Sequence, residues 1–147
     1  MRVVAISDIY AGSLHTNDQK LEELVLHINM LKPDIVLLLG NYINSWSILG
    51  HYTDPNRVSE ILTHIKSTYG TFAVFGQDDV FRGKNVSETA FKRNNIKTLS
   101  DKATVVSVGN KKSLMLLGID SSKDEPKTEE AEAESPETES PETETPE

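Results

Sequence analysis

The chain has 147 residues, enough for one domain, with 15 basic and 23 acidic side chains and a formal net charge of −8. It has no cysteine, which excludes disulfides, thiolate zinc sites and a cysteine nucleophile, and no apolar run approaches the ~20 residues of a membrane-crossing helix. The acidity is uneven. Residues 124–147 hold 11 of the 23 acidic residues and one of the 15 basic ones, so the preceding residues are slightly basic and the net charge does not describe their surface.

Met1-Arg2-Val3-Val4-Ala5-Ile6 enters a strand pattern directly and makes a poor secretory signal, so a cytoplasmic location is expected. The first predicted strand is Arg2–Ser7. Thr16 or Asn17 can then cap a helix, Thr16 with Gln19 fitting a capping box, and Leu21, Leu24, Val25, Ile28 and Leu31 recur at helical spacing. After the break at Pro33-Asp34, the continuous apolar run Ile35–Leu39 suits a parallel strand buried on both faces. A long loop is expected from Asn41 to about Thr53, rich in aromatic residues (Tyr42, Trp46, Tyr52) and carrying His51. Asp54 as cap and Pro55 at the first position open a second helix with a buried stripe of Val58, Ile61, Leu62 and Ile65.

A third strand is predicted over Thr71–Phe75 and a short helix from Ser87 to about Arg93. Thr104–Val108 and Ser113–Ile119 read as a hairpin turning at Gly109-Asn110. This order predicts an α/β fold: a mostly parallel sheet with flanking helices and a C-terminal hairpin. Residues 1–120 form the folded body. Residues 121–147 contain the repeat Ser135-Pro136-Glu137-Thr138-Glu139 and Ser140-Pro141-Glu142-Thr143-Glu144, and form an acidic tail too poor in apolar residues to be expected to order.

Ligands of open α/β sheets bind beyond the carboxyl ends of the strands. Here those ends are polar: Asp8-Ile9-Tyr10, Gly40-Asn41-Tyr42 and Gly76-Gln77-Asp78-Asp79. Parallel packing is expected to bring Asp8, Asn41 and Asp78 together. His15, His27, His51 and His64 do not match ligand positions; His27 and His64 fit surface or boundary positions on predicted helices, while His15 and His51 lie in loops above the expected site. The basic residues Arg82, Lys84, Lys92, Arg93 and Lys97 read as a solvated face, with too little aromatic interleaving for a nucleic-acid surface.

The three tips, in this order and within Ser7-Asp8-Ile9, Lys32-Pro33-Asp34-Ile35-Val36 and Phe72-Ala73-Val74-Phe75-Gly76, resemble the calcineurin-like metallophosphoesterases. Their pattern is Asp-x-His, then Gly-Asp, then Gly-Asn-His followed by an acidic residue, with two later histidine elements. The resemblance covers residues 1–120, roughly the first half of a family domain, and implies part of a two-sheet sandwich. It also implies a site in which two divalent ions activate a hydroxide that attacks phosphorus. On this resemblance Asp8 matches the first carboxylate ligand. Tyr10 replaces a ligating His, Asn41 the bridging Asp and Gln77 an Asn. Asp78 replaces the His that can protonate the leaving group, and Asp79 matches the acidic residue that follows. Trp46 and His51 lie in the loop that shapes the family's substrate entrance. The later histidines have no counterpart.

Two dications about 3.7 Å apart repel by roughly 18 kcal/mol at an effective dielectric near 20, and a neutral Asn41 offsets little of it. The sequence therefore predicts a degenerate, catalytically impaired phosphoesterase-like domain that retains binding of a phosphorylated ligand or a protein. At most one divalent cation (Mg, Mn or Ca) is expected, weakly held by Asp8, Asp78, Asp79 and the Asn41 oxygen. The alternatives are a weak single-metal phosphoesterase built on those carboxylates and an interaction module working through the acidic tail. An incompletely covered sheet face further predicts self-association or a protein partner.

Overall fold

The computed structural model describes residues 1–44, 53–109 and 111–121. Trp46, His51 and nearly all of the predicted acidic tail lie outside them. The chain forms a four-stranded parallel sheet from β1 (Val3–Ile6), β2 (Ile35–Leu38), β3 (Gly70–Ala73) and β4 (Lys97–Thr98), ordered β1-β2-β3-β4. Helices α1 (Asp18–Met30), α2 (Pro55–Leu62) and α3 (Gln77–Arg93) make the crossovers. When each strand pairs with the next through a right-handed crossover, every helix falls on the same face. Accordingly α1 packs on α2 and α2 on α3.

Strand alternation divides the interior in two. Val4, Ile6, Val36, Leu38 and Ala73 face the helices, where Leu21, Val25, Ile28, Val58, Ile61, Leu62 and Phe91 close the larger core. Ile35, Leu37, Phe72 and Val74 face the other way, against an antiparallel hairpin of β5 (Lys102–Ser107) and β6 (Ser113–Gly118), which contributes Val106, Leu114 and Leu116. The hairpin covers the β2–β4 end of this face. Val3 and Ala5 of β1, in register with Ile35 and Leu37, stay exposed. The outer side of the hairpin exposes Val105, Met115, Leu117 and Ile119 at 66–72%. Gly118 meets the chain after β4 so closely that a Cβ there would stand 2.3 Å from the Leu99 carbonyl oxygen.

The α/β architecture, the parallel sheet and the C-terminal hairpin match the sequence expectation, with corrections. Asn17, not Thr16, caps α1, its side chain accepting from the Lys20 N–H. Leu31 leaves the buried stripe because it is the C-terminal cap. The second helix has the predicted Asp54 cap and Pro55 start. Helix α3 begins ten residues before the expected Ser87, at Gln77, and kinks where Gly83 takes φ +113°. Gly76 caps it, and Asp79 reaches back to the Gly76 N–H. Tyr42, expected in an aromatic loop, is instead fully buried against Phe75 and Phe91, its hydroxyl shared between the carbonyls of Leu38 and Val74. Strand β4, only two residues long, was not anticipated.

Candidate functional site

The carboxyl ends of β1, β2 and β3 lie side by side, as parallel pairing requires. Beyond the strands the first two loops keep pairing: the N–H groups of Asp8, Tyr10 and Ala11 donate to the carbonyls of Gly40, Asn41 and Tyr42 at 3.1, 3.0 and 2.8 Å. The turn away from the sheet is made by left-handed residues, Asp8 (φ +57°), Tyr10 (+47°), Gly40 (+99°) and Asn41 (+56°). Asp and Asn tolerate this region best, and a tyrosine there is strained by roughly 1 kcal/mol or more.

Asp8, Asn41 and Asp78 converge as expected. The Asn41 Nδ2 amide donates to Asp8 Oδ1 at 2.8 Å, and Asn41 Oδ1 accepts the Asp78 backbone N–H at 3.2 Å. Hydrogen bonds from Asn41, then Ser7, hold the exposed Asp8 carboxyl below its usual pKa. The Tyr10 hydroxyl interacts with both Asp8 and Asn41. Burial, then the hydrogen bond and charge of Asp8, push its pKa up, so it stays a neutral phenol. Gln77 is solvent-exposed at the first position of α3.

Asp79 is the residue whose importance the sequence understated. Its carboxylate is 1% exposed and accepts three backbone N–H bonds, from Asn41 (2.7 Å), Tyr42 (3.0 Å) and Gly76 (3.0 Å). Desolvation outweighs these bonds and raises its pKa to about 6. Asp79 thus stitches the second tip to the third rather than facing a ligand. A second buried carboxylate, Asp120, had no signal in the sequence. Its Oδ1 accepts the Phe75 N–H at 2.7 Å and its Oδ2 lies 2.5 Å from Lys84 Nζ, while the Ser121 N–H bonds to the Phe75 carbonyl. Of the basic group, Lys84 pairs with Asp120 and Asp101, Lys92 with Glu88, and Lys97 lies over the Phe72 ring. His15, His27 and His64 are exposed, and His64 Nδ1 lies 3.0 Å from the Glu60 carbonyl.

The chain is similar to a metallophosphoesterase. It is 30% identical over 104 residues to an uncharacterized metallophosphoesterase of Campylobacter jejuni, an alignment that takes in 67% of this chain and 25% of the relative. The chain therefore spans about a quarter of that curated protein's length. No family model matches the chain. No solved structure matches it either.

The donor set at the tips is a poor match to a two-ion centre. Among the described residues, no three His, Cys, Asp or Glu side chains come together as an ion would need. The face of Asp8 turned toward the second tip meets an amide N–H, a hydrogen-bond donor where a cation would need a shared acceptor. The phenol of Tyr10, kept protonated, is a weak ligand compared with an imidazole or a carboxylate.

Proposed function

We propose that the chain is a degenerate domain of the metallophosphoesterase family in which phosphate-ester hydrolysis is lost. The order and context of the three tip motifs, with the likeness to the Campylobacter jejuni relative, support the family. The observation that carries the loss of turnover is Asn41. Where the bridging carboxylate of the resemblance would stand, a neutral amide donates to Asp8. A hydroxide held between two ions needs an anionic bridge to offset their repulsion, and the neutral Asn41 amide at that position supplies no charge.

The test is hydrolysis of a generic aryl phosphate with added Mn²⁺. The expected result is turnover indistinguishable from the protein-free reaction. The variant carrying Tyr10→His, Asn41→Asp, Gln77→Asn and Asp78→His is also expected to stay inert, because the two later histidine elements have no counterpart in the sequence. Metal-dependent turnover by the unmodified chain would overturn the reading.

A role through association is supported by a separate observation. Val105, Met115, Leu117 and Ile119 form a continuous apolar strip on the outer side of the hairpin, Val105 directly across from Met115 and Ala103 from Leu117. Contiguous exposed apolar strips of this kind mark interaction surfaces. Under this proposal a second copy of the chain covers the strip. Sedimentation is expected to show concentration-dependent dimers, lost in Leu117→Lys; a monomer at all concentrations would refute it.

A further inference from the structure

The three tips are tied to one another by hydrogen bonds that run through Asn41. We propose that the Asn41 carboxamide is a built-in substitute for the cation, a latch that joins the three tips by hydrogen bonds and leaves the closed site indifferent to divalent metals. The proposal rests on the preceding reading only in treating position 41 as the place of a shared ligand.

The orientation of the amide is fixed by its partners. A carboxylate such as Asp8 can only accept, and the backbone N–H of Asp78 can only donate. The Asn41 side chain must therefore present Nδ2 to the first and Oδ1 to the second, as it does at 2.8 and 3.2 Å. Turning the amide over to offer oxygen toward a cation beside Asp8 would set its NH₂ against the Asp78 N–H, donor against donor. The backbone of the same residue is equally committed. Its N–H goes to Asp79 Oδ2 at 2.7 Å and its carbonyl takes the Tyr10 N–H at 3.0 Å. The first, second and third tips are thus all joined through one residue.

The protein is shaped around this side chain. Gly76 has ordinary backbone angles, with φ −82°, so a left-handed conformation is not what demands a glycine there. The reason is space: a Cβ on Gly76 would stand 2.3 Å from Asn41 Oδ1 and 2.7 Å from its Cγ. A seat this tight holds one rotamer and leaves no room for the amide to swing aside for an ion. Asn is also among the few residues that take φ +56° with little strain, so backbone and side chain favour the same residue.

Thermal melts with and without Mn²⁺ or Mg²⁺ test the latch on the full chain and two variants. The unmodified protein is expected to shift by less than about 1 °C at millimolar ion, since a species that does not bind the native state cannot stabilise it. Asn41→Asp sets a second carboxylate against Asp8 and is expected to lower Tm by about 5 °C, with the loss recovered when Mn²⁺ is added. Asn41→Gly keeps the left-handed backbone but loses both side-chain bonds, so it is expected to fall by a similar amount with no recovery. If Asn41→Asp does not fold, ¹⁵N–¹H NMR of the unmodified chain decides: the Asn41 side-chain amide and Asp78 backbone resonances are expected to stay fixed through a Mg²⁺ titration.

A saturable rise in Tm of the unmodified chain with Mn²⁺, movement of those resonances with Mg²⁺, or an Asn41→Asp protein as stable as the parent without ions would each overturn the latch. Stabilisation by Mn²⁺ without ester hydrolysis would sink the latch alone. Hydrolysis that survives chelation would sink the preceding reading alone.

Discussion

Two aspartates are buried at the carboxyl end of β3, and the protein satisfies them by opposite means. Asp79, at the start of α3, accepts from three backbone N–H groups. Asp120, arriving from the far end of the hairpin, takes one backbone N–H and the Lys84 ammonium. Peptide dipoles at a helix start are partial charges, whereas an ammonium is a full one. Burial raises the pKa of Asp79 to about 6 despite its three donors. Backbone groups can position a buried carboxylate firmly while leaving its charge costly.

The sharpest way to break this comparison is Asp79→Ala. It strands the N–H groups of Asn41, Tyr42 and Gly76 and separates the second tip from the third. Unsatisfied buried donors cost roughly 1–3 kcal/mol each, so a loss on the order of 4 kcal/mol is expected in urea denaturation. A loss below about 1 kcal/mol would show that the stitch is dispensable.

The next effect is on pH. A carboxyl whose folded pKa lies above its unfolded value binds more protons when folded, so its contribution falls as pH rises from about 4 to about 6. The shift amounts to a loss of up to about 3 kcal/mol across that window, which Asp79→Asn is expected to flatten. Asp8 and Glu88, whose pKa values are lowered by hydrogen bonds from Asn41 and Lys92, contribute stability that is lost as pH falls below their unfolded values of 3.8 and 4.5, a trend opposite in sign to that of Asp79. Stability that climbs through pH 4–6 in the unmodified chain would contradict the assignment.

Lys84→Met probes the other aspartate. It leaves Asp120, whose side chain is 1% exposed, without its counter-charge, and is expected to cost about 2 kcal/mol. The smallest effect belongs to Asp101→Asn. Asp101 lies 3.5 Å from the same ammonium but is 65% exposed, so solvent screens the pair and the change is expected within about 0.5 kcal/mol. Equal costs for the two Lys84 and Asp101 variants would mean that burial does not separate the two ion pairs.

Much of this architecture was legible in the sequence because local signals and global placement agreed. The Asp54-Pro55 start of α2, the apolar run of β2 and the polar residues closing three strands each had a direct physical reading, and convergence of Asp8, Asn41 and Asp78 followed from parallel pairing alone. The start of α3 was not legible. Gly83 interrupts the helical period, and Gly76–Asp79 reads as a loop motif although it is also a cap with its acidic partner three residues on. Tyr42 was misplaced because a tyrosine in a polar stretch says nothing of the two carbonyls, from Leu38 and Val74, that let its hydroxyl be buried. Asp120 and Phe75 are 45 residues apart, and no periodicity links such a pair. The latch lay beyond the sequence for the same reason. An asparagine in place of an aspartate reads as a loss until its two partners are seen.

The hairpin carries apolar side chains on both sides, Val106, Leu114 and Leu116 inward and Val105, Met115 and Leu117 outward. Sliding one strand past the other by a single residue would therefore trade one greasy face for another at little penalty, and hydrophobic patterning cannot choose the alignment. The contact at Gly118 can. With the Leu99 oxygen 2.3 Å from where a Cβ would sit, that spot admits only the residue lacking one, and every neighbouring position in β6 has a side chain. A single missing methyl group works as the detent that sets the strand alignment.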